Sequence, residues 1–327
     1  MDPITARPRR LRRSPALRRL VAETKLCVDD LVAPLFVSEV LEAPAPISSL
    51  PGQVQHSFDS LLMESDRIVG LGIPAVVLFG LPAKKDALGS GASDPSGIIQ
   101  RAIAELKARH GDALVVIPDL CLDEYTDHGH CGILDARGGV DNDATLERYA
   151  QVAIAQARAG ADLLAPSGMM DGQVRAIREA LDDEGFSETG ILAYAAKYAS
   201  ALYGPFREAV DVEIQGGGDR RSYQQDPANA REAIREVLLD IDEGADIVMV
   251  KPAMTYLDVI AEVAGMVDVP VAAYHVSGEY AMVKAAGERG WIDPLAVALE
   301  QLLAVKRAGA NVILTYFATE VAEALHR

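Results

Sequence analysis

Eight short apolar runs recur along the sequence, and amphipathic stretches separate most of them. Nearly continuous runs rich in valine, isoleucine and leucine are typical of parallel strands that are buried on both faces. The runs occupy residues 31–36, 75–80, 113–118, 162–166, 191–195, 247–250, 271–274 and 312–316. Stretches with helical spacing of apolar residues lie at 59–71, 96–110, 143–159, 171–184, 227–243, 256–263, 280–288 and 294–308. The sequence therefore predicts an α/β protein in which strands and helices alternate.

The number of strands favours a (β/α)8 TIM barrel, with a doubly wound open sheet as the alternative. No Gly-x-Gly-x-x-Gly follows the first run, so the dinucleotide fingerprint of many open sheets is missing. Glycine-alanine pairs before Asp162, Asp246 and Asn311 indicate a repeated joint between a helix and the next strand. We expect three helices to begin at capping residues, namely Ser96, Asp143 and Asp171.

Two of the apolar runs each end at a lysine. Lys251 follows residues 247–250, and Pro252 then ends the strand because proline cannot donate a hydrogen bond to the sheet. Lys197 follows the run at 191–195 in the same manner. Burial lowers the pKa of a lysine, and a neutral amine attacks carbonyl carbons. Either lysine alone could extend its ammonium group into solvent, but two at the same end of a barrel predict a reactive pair.

The other strand ends are also rich in reactive groups. They carry Asp119, Ser167, His275, Ser277 and Tyr316. In a barrel the carboxyl ends of the strands meet at one face, where the active site lies. A single reactive lysine there would indicate a class I aldolase. Two lysines instead indicate a condensation of two keto substrates through Schiff bases.

The loop at residues 119–132 has the composition of a metal site. Cys121 and Asp123 alternate along the chain, and Cys131 returns after a turn that also contains His128 and His130. Cysteine combined with aspartate or histidine is typical of a zinc site with an open coordination position. The mixture of soft and hard ligands leaves zinc and magnesium as alternatives. The density of ligands favours a metal site over two free cysteines in a polar loop.

Residues 203–226 are predicted to form a long loop over the mouth of the barrel. The segment contains Arg207, Arg220, Arg221 and Gln224. Long loops in compact domains are often lids, and arginine binds carboxylates through two parallel hydrogen bonds. We expect a lid that closes over an anionic substrate, with a solvated basic loop as the alternative.

The N-terminal arm at residues 1–25 is basic, whereas the whole chain has a net charge of −17. This contrast favours docking of the arm on another copy of the chain, and the acidic body opposes binding to nucleic acid. A nucleic-acid arm, a transit peptide and a disordered tail are the alternatives. No apolar run is long enough to span a membrane, no secretory signal is recognisable, and three cysteines fit a reducing cytoplasm.

Several longer motifs can be compared with known families. They lie at 7–12, 119–132, 165–172, 197, 203–207, 218–221, 249–252, 274–279 and 315–316. Together they resemble the delta-aminolevulinic acid dehydratase family, also called porphobilinogen synthases, along nearly the whole chain. The resemblance implies that the chain is a lyase of haem and porphyrin biosynthesis. Such enzymes condense two 5-aminolevulinate molecules to porphobilinogen with loss of two waters. The resemblance also implies a homo-octamer of (β/α)8 barrels, in which the N-terminal arm of each chain embraces a neighbour. In this chain the catalytic barrel would span residues 26–327.

The resemblance assigns roles to individual residues. Lys251 and Lys197 correspond to the lysines that form Schiff bases with the P-side and A-side substrates, and Asp119 is a nearby acid. The residues that would bind the P-side carboxylate are Ser277 and Tyr316. Those that would bind the A-side carboxylate are Arg207, Arg220 and Gln224. Tyr203 and Ser167 are predicted to line the same site.

The resemblance also implies metal sites, and this sequence departs from the family pattern at two positions. Zinc-type members have three cysteines, and Asp123 replaces the middle one beside Cys121 and Cys131. We expect Zn²⁺ at this loop, with Mg²⁺ as the alternative. Glu236 corresponds to the position of an allosteric Mg²⁺ in many bacterial members. Gly168 stands where many members have aspartate, which removes a carboxylate expected near the P-side substrate.

Overall fold

The computed structural model describes residues 5–215 and 218–326. Eight parallel strands form the barrel: β1 (Leu31–Ser38), β4 (Ala75–Leu81), β5 (Val115–Leu120), β6 (Leu163–Pro166), β7 (Gly190–Lys197), β8 (Ile247–Lys251), β9 (Val271–His275) and β10 (Val312–Thr315). The short strands β2 (Ala45–Pro46) and β3 (Val54–His56) form an antiparallel pair that extends beyond β1. Because β10 also pairs with β1, the sheet closes. The predicted TIM barrel is confirmed, and the open-sheet alternative is wrong.

Helices connect the strands and cover the outside of the barrel. They are α1 (Pro15–Leu20), α2 (Phe58–Gly70), α3 (Ile98–His110), α4 (Asn142–Arg158), α5 (Gln173–Asp183), α6 (Gly204–Ala209), α7 (Ala230–Asp242), α8 (Leu257–Ala264), α9 (Ser277–Glu288), α10 (Pro294–Ala308) and α11 (Ala318–Leu325). All eight predicted helices are present among them, with ends that differ by zero to three residues. The helices α1, α6 and α11 were not predicted.

The three predicted capping residues are wrong. Asp141 caps α4, because its side chain accepts a hydrogen bond from the backbone N–H of Ala144. Glycines at 97 and 172 occupy the positions before α3 and α5. Ser96 instead donates its hydroxyl to the side chain of Asp94. Several polar residues precede each helix, and the sequence alone does not choose among them.

The barrel strands are buried because helices cover their outer side and side chains fill the interior. Every residue of β1 is buried, and so is every residue of β4. This accounts for the continuous apolar runs in the sequence, where an exposed sheet face would show alternation. Polar side chains in the barrel are concentrated at the carboxyl ends of the strands, where Lys197 and Lys251 end β7 and β8.

The N-terminal arm contains a short 3-10 helix, Pro8–Arg12, and α1, with residues 1–4 outside the described part. Neither helix contains a buried residue in the single chain. Ser14 caps α1 by accepting a hydrogen bond from the N–H of Leu17. An exposed but ordered arm is compatible with the predicted docking on a neighbour, which stays a prediction. Among the described residues, no helix has both the length and the apolar character required to cross a bilayer.

The predicted lid is more ordered than a loop. Residues 201–203 form a 3-10 turn, and α6 follows directly with Pro205 in its first turn. The helix α6 packs against α9. Gly216 and Gly217 of the predicted lid lie outside the described residues. Pro205 is compatible with its position because the first turn of a helix does not need the N–H that proline lacks.

Candidate active site

The two predicted reactive lysines end neighbouring strands. Lys197 is the last residue of β7, Lys251 is the last residue of β8, and the two are paired in register. Adjacent strands lie about 4.8 Å apart, so this register brings both side chains to one point of the barrel mouth. Each lysine is only 5% exposed. The structure therefore places the two lysines side by side and buried at the mouth of the barrel.

Aromatic rings surround the ammonium group of Lys251. Its Nζ lies 4.4 Å from the ring centre of Tyr274, 5.0 Å from Tyr194, and 5.2 Å from both Tyr203 and Phe206. These rings remove water from the amine. Burial, followed by repulsion from Lys197, lowers the pKa of Lys251 to about 7. A substantial fraction of this amine is therefore neutral near neutral pH, as a nucleophile requires.

Lys197 is held by polar groups. Its Nζ donates a hydrogen bond to the backbone carbonyl of Ser167 at 2.6 Å. The hydroxyl of Ser167 in turn donates to Oδ2 of Asp119 at 3.0 Å. Burial raises the pKa of Asp119 to about 7, although Lys197 and Lys251 act in the opposite direction. Asp119 and Ser167 thus lie beside Lys197, and Asp119 can hold or release a proton there.

A β-bulge explains how Tyr194 reaches both lysines. The pairing of β7 with β8 shifts register between Ala193 and Ala196. In a regular strand, residues three positions apart point to opposite faces. Here the ring of Tyr194 lies 5.5 Å from Nζ of Lys197 and also near Lys251. The sequence did not reveal Tyr194 because it lies within an apolar run.

A cavity of about 440 Å³ opens beside the two lysines. Its wall includes four residues predicted to bind substrate: Tyr203, Arg207, Arg220 and Gln224. Gln224 is buried, and its Nε2 has no hydrogen-bond partner among the described residues. A buried donor without a partner costs free energy, so this amide is available for a ligand. The cavity therefore combines two amines with basic and amide groups suited to a carboxylate.

Ser277 and Tyr316 are not part of the lining of this cavity. The hydroxyl of Ser277 donates to the carbonyl of Leu202 at 3.3 Å and accepts a hydrogen bond from the N–H of Phe206 at 3.1 Å. The hydroxyl of Tyr316 is 3.2 Å from that of Tyr274. Tyr316 also borders a separate cavity of about 200 Å³. In this conformation Ser277 and Tyr316 are therefore separated from the larger cavity.

The predicted metal ligands form a compact cluster. The side-chain donor atoms of Cys121, Asp123 and Cys131 lie within 4.8 Å of one another, and all three residues are buried. Oδ2 of Asp123 accepts a hydrogen bond from Arg220 at 2.8 Å. Burial alone would raise the pKa of Asp123, but Arg220 and Lys197 outweigh it and hold the carboxyl ionised. His130 is not in the cluster, and its Nδ1 lies 3.1 Å from the hydroxyl of Tyr223.

The donor set fits a metal ion. Two thiols and one carboxylate provide three protein ligands, which is the number found in catalytic zinc sites with an open position. The hydroxyl of Tyr149 supports both cysteines: it donates to the carbonyl of Cys131 at 2.7 Å and lies 3.8 Å from Sγ of Cys121. The cluster is thus able to bind a metal, and the softness of the thiols favours zinc over magnesium.

The structure gives a reason for Gly168. A Cβ atom at this position would collide with the hydroxyl and ring of Tyr149, which is fully buried. The space that a larger side chain would need is therefore filled by the tyrosine that supports the cysteines. Asp119 remains the carboxylate next to Lys197.

Glu236 lies apart from the lysines, on α7. It borders a third cavity, of about 530 Å³, together with Asp171 and Glu232. Burial, and then the charges of Asp171 and Glu232, raises the pKa of Glu236. Arg221 and Gln224 line both this cavity and the one beside the lysines. The cavity beside Glu236 and the cavity beside the two lysines (the lysine cavity) therefore share a wall.

Comparisons with known proteins agree with this geometry. The model of the family "Delta-aminolevulinic acid dehydratase" matches residues 5–324. The delta-aminolevulinic acid dehydratase of Streptomyces coelicolor is 58% identical over 98% of this chain and 97% of its own. That of Mycobacterium tuberculosis H37Rv is 56% identical over 97% of this chain and 96% of its own.

A solved structure extends the comparison. It is the delta-aminolevulinic acid dehydratase (porphobilinogen synthase) of Toxoplasma gondii ME49, in complex with the reaction product porphobilinogen. The structure has a TM-score of 0.96 and 46% sequence identity, and the match covers 98% of this chain and 92% of that one. The barrel, the lysine pair and these matches together show that the chain belongs to the delta-aminolevulinic acid dehydratase (porphobilinogen synthase) family of lyases.

Proposed function

We propose that the chain condenses two molecules of 5-aminolevulinate to porphobilinogen, with loss of two waters, in haem and porphyrin biosynthesis. The observation that carries this proposal is the register pairing of Lys197 and Lys251, with the pKa of Lys251 lowered to about 7. In the overall reaction one carbon–carbon bond and one carbon–nitrogen bond join the two substrates. Both ketone oxygens leave as water, and both lysines are regenerated.

Lys251 forms the Schiff base with the P-side substrate, which becomes the propionate side of the product. Its neutral amine attacks the ketone carbon, and the ring of Tyr274, 4.4 Å away, helps to exclude water from the amine. Lys197 forms the Schiff base with the A-side substrate, which becomes the acetate side. Register pairing holds the two activated carbons close enough to react.

The carboxylates are bound by separate sets of residues. Arg207, Arg220 and Gln224 bind the A-side carboxylate, because their side chains line the cavity beside the lysines. Ser277 and Tyr316 bind the P-side carboxylate. That step requires the hydroxyl of Ser277 to exchange its partners, Leu202 just before the lid and Phe206 within it, for the substrate. Lid movement and P-side binding are therefore coupled in this proposal.

Asp119 and Ser167 handle protons beside Lys197. The hydroxyl of Ser167 is hydrogen-bonded to Asp119, and its carbonyl accepts from Lys197. A carboxylate that is joined to a hydroxyl in this way can take a proton from the substrate and return it later. Tyr203 borders the site, and its hydroxyl donates to the carbonyl of Lys251 at 3.4 Å.

Zn²⁺ is the ion we assign to Cys121, Asp123 and Cys131, with Mg²⁺ as the alternative. When bound, such an ion supplies a Lewis acid next to the substrate cavity. A regulatory Mg²⁺ at Glu236 is part of the same proposal, as are a homo-octamer assembled through the N-terminal arms and a cytoplasmic location. The ordered, exposed arm and the acidic body support the assembly.

Reductive trapping tests the proposal. Incubation with 5-aminolevulinate and borohydride is expected to add, at Lys251, the mass of one substrate less one oxygen atom. Lys251→Met and Lys197→Met are both expected to abolish porphobilinogen formation, whereas Lys284→Met, paired with Glu320, is the control. No adduct on either lysine would contradict the proposal. Full turnover in Lys197→Met would instead favour a class I aldolase.

A further inference from the structure

A second group of possible metal ligands adjoins the first. The donor atoms of Asp119, Cys121 and Glu124 lie within 4.8 Å of one another, and all three residues are buried. Glu124 is only 2% exposed and is not among the residues that the family resemblance assigns. Cys121 belongs to both groups, so the two groups meet at its sulfur.

The two carboxylates of the second group each have an oxygen without a partner. Oδ1 of Asp119 and Oε1 of Glu124 are buried and accept no hydrogen bond from the described residues. The other oxygen of Asp119, Oδ2, is bound by Ser167. A buried carboxylate oxygen without a partner is unfavourable, and natural proteins rarely leave such an atom without a hydrogen bond or a bound ion.

No lysine or arginine of the described residues forms an ion pair with Asp119 or Glu124, although the charges of Lys197 and Lys251 favour the ionised form of Asp119. Among the described residues, Arg220 forms its ion pair with Asp123, which belongs to the first group. Lys197 donates its hydrogen bond to the carbonyl of Ser167. A cation held by the first group would use Asp123 and the two cysteines, and Oε1 of Glu124 would still have no partner among the described residues.

We propose that Asp119, Cys121 and Glu124 form a second divalent-cation site that shares the Cys121 thiolate with the first. Two carboxylate oxygens and one thiolate suit a borderline ion such as Zn²⁺ or Co²⁺. The inference goes beyond the proposed function, because it concerns how many cations the chain binds. Through Asp119, the second ion fixes the position of Ser167 and thereby of the carbonyl that binds Lys197.

Cobalt titration of the metal-free protein tests the site, because Co²⁺ reports thiolate binding by an absorption band and its bound amount by equilibrium dialysis. The parent is Glu236→Gln, so that a cation on α7 does not contribute. We expect two tightly bound Co²⁺ ions per chain. Glu124→Gln is expected to lose one of them and keep a thiolate band, and Cys131→Ser is expected to lose the other.

Cys121→Ser is expected to weaken both ions, on the order of tenfold or more, because its sulfur is shared. Glu105→Gln, on the exposed side of α3, is the matched control and is expected to retain both ions. A parent that binds one ion overturns the proposal, and so does a Glu124→Gln protein that binds two. A folded Glu124→Gln protein that binds none also overturns it, because the first site would then depend on Glu124.

Discussion

Lys197 and Lys251 are paired in register as the last residues of neighbouring parallel strands. Two ammonium groups at this spacing repel each other, and burial strengthens the repulsion because the local dielectric constant is low. The repulsion contributes to the lowered pKa of Lys251, after the larger effect of burial. One lysine thus helps to keep the other nucleophilic, in addition to any bond it forms itself.

Removal of Lys197 is expected to raise the pKa of Lys251. In Lys197→Met, adduct formation between Lys251 and 5-aminolevulinate is expected to need a higher pH, by about one pH unit. The measurement is the initial rate of reductive trapping at Lys251, by mass spectrometry, across a pH series. Lys284→Met is expected to leave the profile of the native protein unchanged. An unchanged profile in Lys197→Met would show that burial alone sets this pKa.

The buried amine of Lys251 is expected to cost stability. Since its pKa is about 7 in the folded chain and 10.5 is the ordinary value, the unfolded chain binds the extra proton between these pH values. The resulting decrease in the free energy of unfolding is greatest below pH 7 and vanishes as the pH rises towards 10.5. Lys251→Met is therefore expected to raise the free energy of unfolding by on the order of 3 kcal/mol near pH 7. Urea unfolding at matched protein concentration checks this, and an equal gain near pH 10 would contradict it.

Gln224 is expected to act in binding and not in folding. Its buried Nε2 has no partner among the described residues, so Gln224→Leu is expected to leave the stability of the free protein unchanged or slightly higher. A lost hydrogen bond to a charged carboxylate is expected to raise KM about tenfold to a hundredfold, with a smaller change in kcat. Steady-state kinetics and urea unfolding are the measurements, and Gln151→Leu on the exposed side of α4 is the control. Loss of stability without a change in KM would assign Gln224 a structural role.

Gly168 is expected to tolerate no side chain. Gly168→Ala places a methyl group against the hydroxyl of Tyr149 and is expected to cost about 1–3 kcal/mol of stability. Since Tyr149 supports Cys131, zinc affinity is expected to fall as well. Gly70→Ala, where a Cβ meets open space, is the control. Tyr149→Phe added to Gly168→Ala is expected to recover part of the stability, and strict additivity of the two losses would argue against the collision.

The barrel could be predicted because its strands are buried on both faces. Such strands appear as uninterrupted apolar runs, and glycines such as Gly160 and Gly244 mark the turns between helices and strands. The pair β2 and β3 was not predicted, because strands of two and three residues leave no such run. Helix ends were displaced for a similar reason, since several polar residues near each start can cap it.

The candidate site was predictable where a polar residue interrupts an apolar pattern, as Lys197 and Lys251 do. Tyr194 and Tyr274 continue the pattern, so the sequence alone does not distinguish them from ordinary core residues. Their contact with the lysines depends on a shifted register in β7 and on closure of the barrel. Glu124 follows Asp123 in a polar loop, and only the folded loop turns it towards Asp119 and Cys121. These relationships arise from non-local packing, which a single sequence does not encode locally.

The wall between the lysine cavity and the cavity of Glu236 has a consequence for inhibitor design. Arg221 and Gln224 belong to both linings, so a compound that displaces them would open one volume into the other. A molecule anchored covalently on Lys251 could then be extended through this partition towards the carboxylates of α7. Such a compound would gain contacts that a substrate mimic confined to the lysine cavity does not reach, and it would fill the cavity beside Glu236 at the same time.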